Sequence, residues 1–176
     1  MTAPLHPGIE TRYGTQSQAR LALASDDLRR LFVELDLRFP HSILETARSE
    51  QQQAANVASG VSKTLDSRHL DGPPANAVDA APDPLRWPKL PQQLELLLAG
   101  VVVEHRAAFR SMLAGYIKQL GRWYYFGGYV LGTADQMRKH GELTRPVRWG
   151  GDWNGDRQVD DQRFDDLPHF EHPKGT

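Results

Sequence analysis

The histidines and acidic residues are the side chains of this sequence most able to do chemistry, because it contains no cysteine. A disulfide scaffold, a thiolate zinc site and a cysteine nucleophile are therefore excluded. A catalytic zinc site built without cysteine needs three ligands from His, Asp or Glu, plus one open position for water. The candidate ligands are first of all the seven histidines: His6, His41, His69, His105, His140, His169 and His172.

Two of these histidines stand in a context that favours metal binding. His69 lies ten residues before Asp79, and His169 lies three residues after Asp166. A carboxylate three residues before a metal-binding histidine can reach a water molecule at the metal and act as a general base. The spacing thus offers His69, Asp79 and His169 as ligands and Asp166 as proton acceptor. Asp71 is an alternative to Asp79.

Glu171 is a second candidate for the general base. In an extended segment Glu171 and His169 share a face, whereas His172 points away. We prefer Asp166 as the base, and we expect Glu171 to be a hydrogen-bond partner that orients a ligand histidine.

Oxygen-bearing side chains at alternate positions form a candidate calcium loop just ahead of Asp166. Arg157 stands where an EF-hand loop has glycine, and Arg163 stands where it has glutamate, so the full pattern is absent. Two interpretations remain open, an acidic solvated turn and a calcium site that orders the loop. The candidate calcium ligands are Asp152, Asn154, Asp156 and Asp160.

The elements that must position these residues are mainly helices with short strands. Leucines and a phenylalanine recur at helical spacing over residues 17–36, and Pro40 ends this segment. Strands and helices do not alternate regularly, which favours an α+β domain over a parallel α/β fold. The predicted helices are at 17–36, 47–60, 92–121 and 123–139, with short strands at 42–46 and within 145–153.

The domain organisation is predicted to be simple. We expect an irregular lead-in at 1–15 and one domain over 16–176, with a candidate helical insertion at about 85–122 that begins in a proline-rich stretch. Aromatic residues at 123–129 are interleaved with small ones, which favours core packing over glycan stacking.

The bulk composition indicates a soluble globular protein that recognises its partner at a local site. Its 176 residues are 39% hydrophobic and 24% charged, with a formal net charge of −1, so nothing favours binding to nucleic acid. The apolar stretch 94–103 is about half the roughly 20 residues that a membrane span needs. The first residues lack the pattern of a secretory signal, so we expect none. We expect a monomer with no membrane span.

Four motifs occur in an order that resembles a known enzyme family. They are Arg48-Ser49 with Gln53, then Gly60-Val61-Ser62, then Ser67-Arg68-His69 with Ala77-Val78-Asp79, and finally Asp166-Leu167-Pro168-His169. The chain resembles the zinc DD-peptidase family. That family includes D-Ala-D-Ala carboxypeptidases, vancomycin-resistance dipeptidases and phage L-alanyl-D-glutamate endopeptidase endolysins. The RWGGDW and PHFE stretches are most similar to the phage endolysin branch.

The resemblance implies a hedgehog/DD-peptidase-like fold, with a small central antiparallel sheet flanked by helices. It implies zinc on the three ligands named above, with Asp166 as base and Arg48 stabilising the oxyanion, and it puts Ser67 and Gln53 in the substrate region. The expected substrate is the peptidoglycan stem peptide, cut between L-Ala and D-Glu in cell-wall lysis. Such an enzyme would wait in the host cytoplasm until its release, and the resemblance to calcium-responsive endolysins implies a link between activity and calcium. The alternatives are a D-Ala-D-Ala carboxypeptidase or dipeptidase, and a non-catalytic zinc-containing binding module.

One departure from the family pattern concerns the loop between the first two ligands. The family aspartate lies seven residues after the histidine, whereas Asp79 lies ten residues after His69. Two of the three extra residues are prolines, so we expect a stiff loop that bulges outward while both ligands keep their places.

Overall fold

A computed structural model of the chain describes residues 11–89 and 106–176. The predicted α+β class is confirmed, since helices flank a small antiparallel sheet. The helices are α1 (Thr15–Leu21), α2 (Asp26–Asp36), α3 (Glu50–Ala58) and α4 (Arg106–Lys139), with a short 3₁₀ turn at Arg68–Leu70. The strands are β1 (His41–Glu45), β2 (Ala77–Pro82), β3 (Arg148–Gly150) and β4 (Asp166–Glu171). His6, His105 and the apolar stretch 94–103 lie outside the described residues.

The sheet has the strand order β1-β2-β4-β3, and all three pairings are antiparallel. Asp79 on β2 pairs with His169 on β4, and Arg148 on β3 pairs with Glu171 on β4. Directly opposed residues in an antiparallel pair have side chains on the same face, only about 5 Å apart at Cβ. The register therefore brings together residues that are 90 and 23 positions apart in the sequence.

The core lies between this sheet and the helices α2 and α4. The apolar face of α2 is fully buried, and its Phe32 packs against Phe170 of β4 with ring centroids 5.7 Å apart. Phe126 of α4 meets the same Phe170 ring at 5.8 Å. Both helices thus pack against the residue that follows His169 on β4.

The predicted helix at 17–36 is interrupted. It divides into α1 and α2 because the turn between them bonds to a distant segment: the Ala75 N–H donates to Leu23 O at 2.8 Å, and the Ser25 N–H donates to Ala75 O at 2.9 Å. Two aspartates in the first turn of α2 also suit a new helix start.

The predicted break near Gly121 is wrong, because α4 runs without interruption through it. A lone glycine costs a helix only about 1 kcal/mol, and burial of Trp123, Phe126 and Val130 on the following turns offsets that cost. The part of the predicted segment before residue 106 lies outside the described residues. Among the helices that the structure describes, none combines the length and apolarity of a membrane span.

Close helix–sheet packing depends on one glycine of α4. A Cβ on Gly127 would lie 2.4 Å from the Trp149 indole, whereas Gly128 and Gly132 have nothing within 4 Å of that position. Core packing of the aromatic cluster is seen for Trp123 and Phe126, whereas the Tyr125 side chain is 66% exposed.

Candidate metal centre and active site

Three predicted ligands converge on one point of the sheet. His69 Nε2 lies 3.1 Å from Asp79 Oδ1 and 3.2 Å from His169 Nδ1, and His169 Nδ1 lies 3.1 Å from the same Asp79 oxygen. In the described part of the chain, this is the one group of three ligand atoms close enough to hold a metal ion. Asp79 and His169 come from the paired strands β2 and β4, and His69 comes from the 3₁₀ turn.

The outer nitrogens of both rings are engaged by oxygen acceptors. His69 Nδ1 meets the Thr46 carbonyl oxygen, and His169 Nε2 lies 2.9 Å from Glu171 Oε2. These acceptors assign the ring protons to the outer nitrogens, which leaves a lone pair on each inner nitrogen. Two nitrogen lone pairs and a carboxylate oxygen then face one another, an arrangement that needs a cation between them.

The pKa shifts of His169 and Asp79 also indicate that the centre favours a positive charge. Burial acts to lower the pKa of His169, but the hydrogen bonds with Asp79 and Glu171 outweigh it and raise the pKa to about 10. Burial acts to raise the pKa of Asp79, and the two histidines beside it bring that pKa well below its usual range. Without a metal the centre therefore attracts a proton instead.

Asp166 lines the same cleft at the start of β4. On a regular strand, residues three apart such as Asp166 and His169 would face opposite sides of the sheet. The β3–β4 pairing is irregular between Trp149 and Gly150, where Gly150 pairs with Asp166, and both Asp166 and His169 line the cleft. A Cβ on Gly150 would lie 2.3 Å from the Asp166 carbonyl oxygen, so this approach requires glycine. Burial, followed by the charge of Asp79, raises the pKa of Asp166.

Arg48 is held at the edge of the centre by a carboxylate and an amide. Its Nε donates to Glu45 Oε1 at 3.0 Å, its Nη2 donates to Glu45 Oε2, and its Nη1 donates to Gln53 Oε1 at 2.5 Å. Nη2 also lies 3.7 Å from Asp79 Oδ2, and the side chain is 10% exposed. Burial opposes the charge of Arg48, but Glu45 more than compensates and raises its pKa. The guanidinium is thus fixed and permanently charged beside the ligands.

The two predicted substrate-contacting residues differ in their placement. Ser67 lines the cleft and accepts a 3.3 Å hydrogen bond from the His69 N–H, so it also caps the turn that carries the ligand. Gln53 is buried at 1% exposure, with its amide nitrogen bonded to Ser62 Oγ and Thr64 O. In this arrangement Gln53 holds Arg48 and does not line the cleft.

The loop between the first two ligands is only partly an outward bulge. Pro73 and Pro74 are exposed as expected, but Ala75 is fully buried and bonded to the turn between α1 and α2. Asp71, the alternative ligand, instead pairs with Arg68 at 2.5 Å and accepts a hydrogen bond from Asn76 at 3.1 Å. The extra residues are therefore anchored without displacing either ligand.

The candidate calcium residues are not gathered into a ligand cluster. Asp152 is buried and accepts hydrogen bonds from the Gly155 and Arg157 N–H groups, both at 2.9 Å. Asp156 accepts from the Gln158 N–H at 2.8 Å. Asn154 donates a hydrogen bond to Asp161. Among the described residues, the Asp160 side chain takes part in none of these turn hydrogen bonds. The loop has the hydrogen bonds of an acidic turn.

Three residues at the site were not predicted: Glu45, Arg148 and Trp153. Arg148 meets the ligand partner Glu171 across the sheet, and Trp153 packs its ring 5.5 Å from that of His169. The register of β3 against β4 brings Arg148 there. The RWGGDW stretch contains both Arg148 and Trp153, but its sequence alone indicated no role for either of them. His41 and His172 have structural contacts, to Tyr13 and to the Pro146 carbonyl oxygen respectively.

The cleft around the centre has a volume of about 1260 Å³ and a partly aromatic wall. Trp87 is 49% exposed and stacks on the buried Trp123 with ring centroids 4.8 Å apart. Trp153 and Phe164 also line the cleft. This volume exceeds that of a site for a single small metabolite.

Comparisons with known proteins find similarity among solved structures. No protein-family model matches the chain, and no curated protein matches it. Its structure is similar to the crystal structure of the Serratia marcescens L-Ala D-Glu endopeptidase ChiX, with 25% sequence identity over 95% of this chain and 94% of that chain and a TM-score of 0.48. This similarity alone assigns neither a family nor an activity.

Proposed function

We propose that the protein is a zinc-dependent peptidase that hydrolyses a bond in the peptidoglycan stem peptide, with the L-Ala–D-Glu bond as first choice. One observation carries the proposal: His69, Asp79 and His169 present three lone-pair atoms to one point, in a cleft that also contains Asp166 and Arg48. The ordered motifs that resemble zinc DD-peptidases support the choice of substrate.

The donor set suits a catalytic zinc ion. Zinc ligands at about 2.0–2.1 Å in a tetrahedron are about 3.3 Å apart, and the three ligand atoms here are separated by 3.1, 3.1 and 3.2 Å. Three protein ligands leave the fourth position for water or substrate. Two histidines and one carboxylate also suit iron(II), so metal analysis of the purified protein is the direct check of zinc.

The residues of the site then have separate roles in amide hydrolysis. A zinc ion held by His69, Asp79 and His169 would supply Lewis-acid chemistry, which polarises a carbonyl group and lowers the pKa of water to about 7. The Asp166 carboxylate takes a proton from the attacking water and later delivers it to the leaving amine nitrogen. The raised pKa of Asp166 suits a group that must both accept and return a proton.

Arg48 has the position and charge to stabilise the negative charge that develops on the carbonyl oxygen. A donor that is fixed before the reaction is far more effective than a mobile one, because it needs no reorganisation. Glu45 and Gln53 provide that fixation through three hydrogen bonds to the guanidinium. We therefore assign Gln53 a positioning role.

Digestion of purified peptidoglycan, followed by mass spectrometry, tests the proposal and separates the alternatives. New N-terminal D-Glu supports the endopeptidase, whereas release of terminal D-Ala indicates the carboxypeptidase or dipeptidase. Binding of zinc and peptidoglycan without any cleavage product would instead identify the non-catalytic binding module.

Asp166→Asn tests the assignment of the general base. It is expected to lower kcat about 10²–10⁴-fold while zinc content stays near one ion per chain. Asp165→Asn is the matched control, because this neighbouring carboxylate accepts a 2.6 Å hydrogen bond from Gln162. Retained activity in the Asp166 variant would disprove the assignment.

A further inference from the structure

A line of charged contacts extends outward from the ligand His169. Its Nε2 lies 2.9 Å from Glu171 Oε2, and the other carboxylate oxygen, Oε1, accepts hydrogen bonds from Arg148 Nε, at 3.1 Å, and from Arg148 Nη2. Glu171 is 4% exposed. Each carboxylate oxygen thus has its own partner, so the Glu171 side chain has a single orientation.

The guanidinium at the outer end of this line is itself held in place. Arg148 Cζ lies 5.3 Å from the centroid of the Trp153 ring, and Nη1 donates to the Trp153 carbonyl oxygen at 3.2 Å. The Trp153 indole N–H donates to Phe164 O at 3.0 Å, and the ring packs against His169. Trp153 therefore covers both ends of the His169–Glu171–Arg148 line.

We propose that Arg148 is a positioning residue that sets the metal affinity of the centre by acting through Glu171. Arg148 fixes the Glu171 carboxylate, which accepts the His169 Nε2–H and so keeps the Nδ1 lone pair aimed at His69 and Asp79. Its charge also offsets that of the buried Glu171 carboxylate. The inference rests on the proposed metal site and is independent of the proposed substrate.

The shape of arginine matters for this role. Nε and Nη2 bind one carboxylate oxygen together while the flat guanidinium lies over an indole, and a lysine ammonium group can reproduce neither feature. Partners that orient a metal-binding histidine typically contribute about 10–100-fold to metal affinity. An ion pair that only joins β3 to β4 would change the stability of the sheet and leave zinc affinity unchanged.

The experiment measures zinc dissociation constants by competition with a chelating dye. Arg148→Met keeps the apolar stem, and Glu171→Gln keeps the shape of the partner. Arg38→Met is the matched control, because Arg38 makes an exposed ion pair with Glu34 on α2. We expect about 10–100-fold weaker zinc binding for Arg148→Met and Glu171→Gln, a change below twofold for Arg38→Met, and only partial recovery in Arg148→Lys. The visible spectrum of the cobalt-substituted protein should change in Arg148→Met as well.

The double variant tests whether Arg148 acts through Glu171. Arg148→Met combined with Glu171→Gln should bind zinc no more weakly than Glu171→Gln alone, and additive losses would overturn the inference. Wild-type zinc affinity in Arg148→Met would also overturn it. The same holds if urea unfolding shows that the metal-free variant is largely unfolded, because unfolding alone would then explain its weak zinc binding. A wild-type protein that binds no zinc overturns this inference together with the metal site. A protein that binds zinc but cleaves no peptidoglycan refutes only the proposed function.

Discussion

Asp27→Asn is expected to destabilise the fold by about 2 kcal/mol at pH 7. Asp27 is buried near the start of α2, and its Oδ2 accepts three hydrogen bonds, from the Thr144 N–H and hydroxyl, both at 2.8 Å, and from the Arg145 N–H at 3.0 Å. An asparagine oxygen can still accept these bonds but lacks the charge. A loss of about 0.5–1 kcal/mol of charge assistance per bond gives the expected total. For a domain of this size that is roughly 4–8 °C in Tm.

The destabilisation should depend on pH, with a sign that follows from the pKa of Asp27. Burial acts to raise this pKa, but the hydrogen bonds from Thr144 and Arg145 outweigh burial and lower it. A carboxyl group with a lower pKa in the folded state stabilises the fold above its unfolded pKa of about 3.9, and this contribution is lost as pH falls through the folded pKa. The gap between wild type and Asp27→Asn should therefore be largest near neutral pH and should close below about pH 4.

Urea unfolding followed by circular dichroism at several pH values measures this gap. Asp26→Asn is the matched control, because the adjacent Asp26 is exposed and loses only a surface ion pair with Arg29, which should change stability little. The reasoning is refuted if the two variants shift stability equally, or if the gap for Asp27→Asn is the same at low and neutral pH.

Three further predictions concern stability and the metal. Gly127→Ala should lower the free energy of unfolding in urea by about 1–3 kcal/mol, because the added Cβ meets Trp149. Gly128→Ala, whose Cβ lies in open space, should raise it by up to about 1 kcal/mol. Equal effects of the two substitutions would contradict the packing. Tyr13→Phe removes the hydroxyl that meets buried His41 Nε2 and should cost about 1–3 kcal/mol, and an unchanged midpoint would exclude that bond. Chelation should abolish hydrolysis and lower Tm, and added zinc should restore both; activity that survives complete demetallation would remove the metal hypothesis.

The grouping of His69, Asp79 and His169 could be predicted from the sequence because the motifs that carry these residues are local signals. His169 and Asp166 are three residues apart, and the missing cysteines narrow the choice of ligands. Glu45 and Arg148 could not be predicted, since one depends on the end of β1 and the other on the register of β3 against β4. Their positions follow from long-range pairing, which no short window of sequence contains.

The helical elements show the same limit of local signals. The α+β class follows from composition and pattern, but the interruption after α1 depends on Ala75, some fifty residues later. The continuity of α4 through Gly121 likewise depends on the core that its neighbours fill. In both cases tertiary contacts outweigh the intrinsic preference of the segment.

The anchoring of Ala75 has a consequence for how this site can change during evolution. A deletion of Pro73, Pro74 and Ala75 would give the shorter spacing of the zinc DD-peptidases that the sequence resembles, but it would also remove the backbone bridge to Leu23 and Ser25. Loop length and the turn between the first two helices are therefore expected to be inherited as a pair. A lineage that shortens one should also rebuild the other.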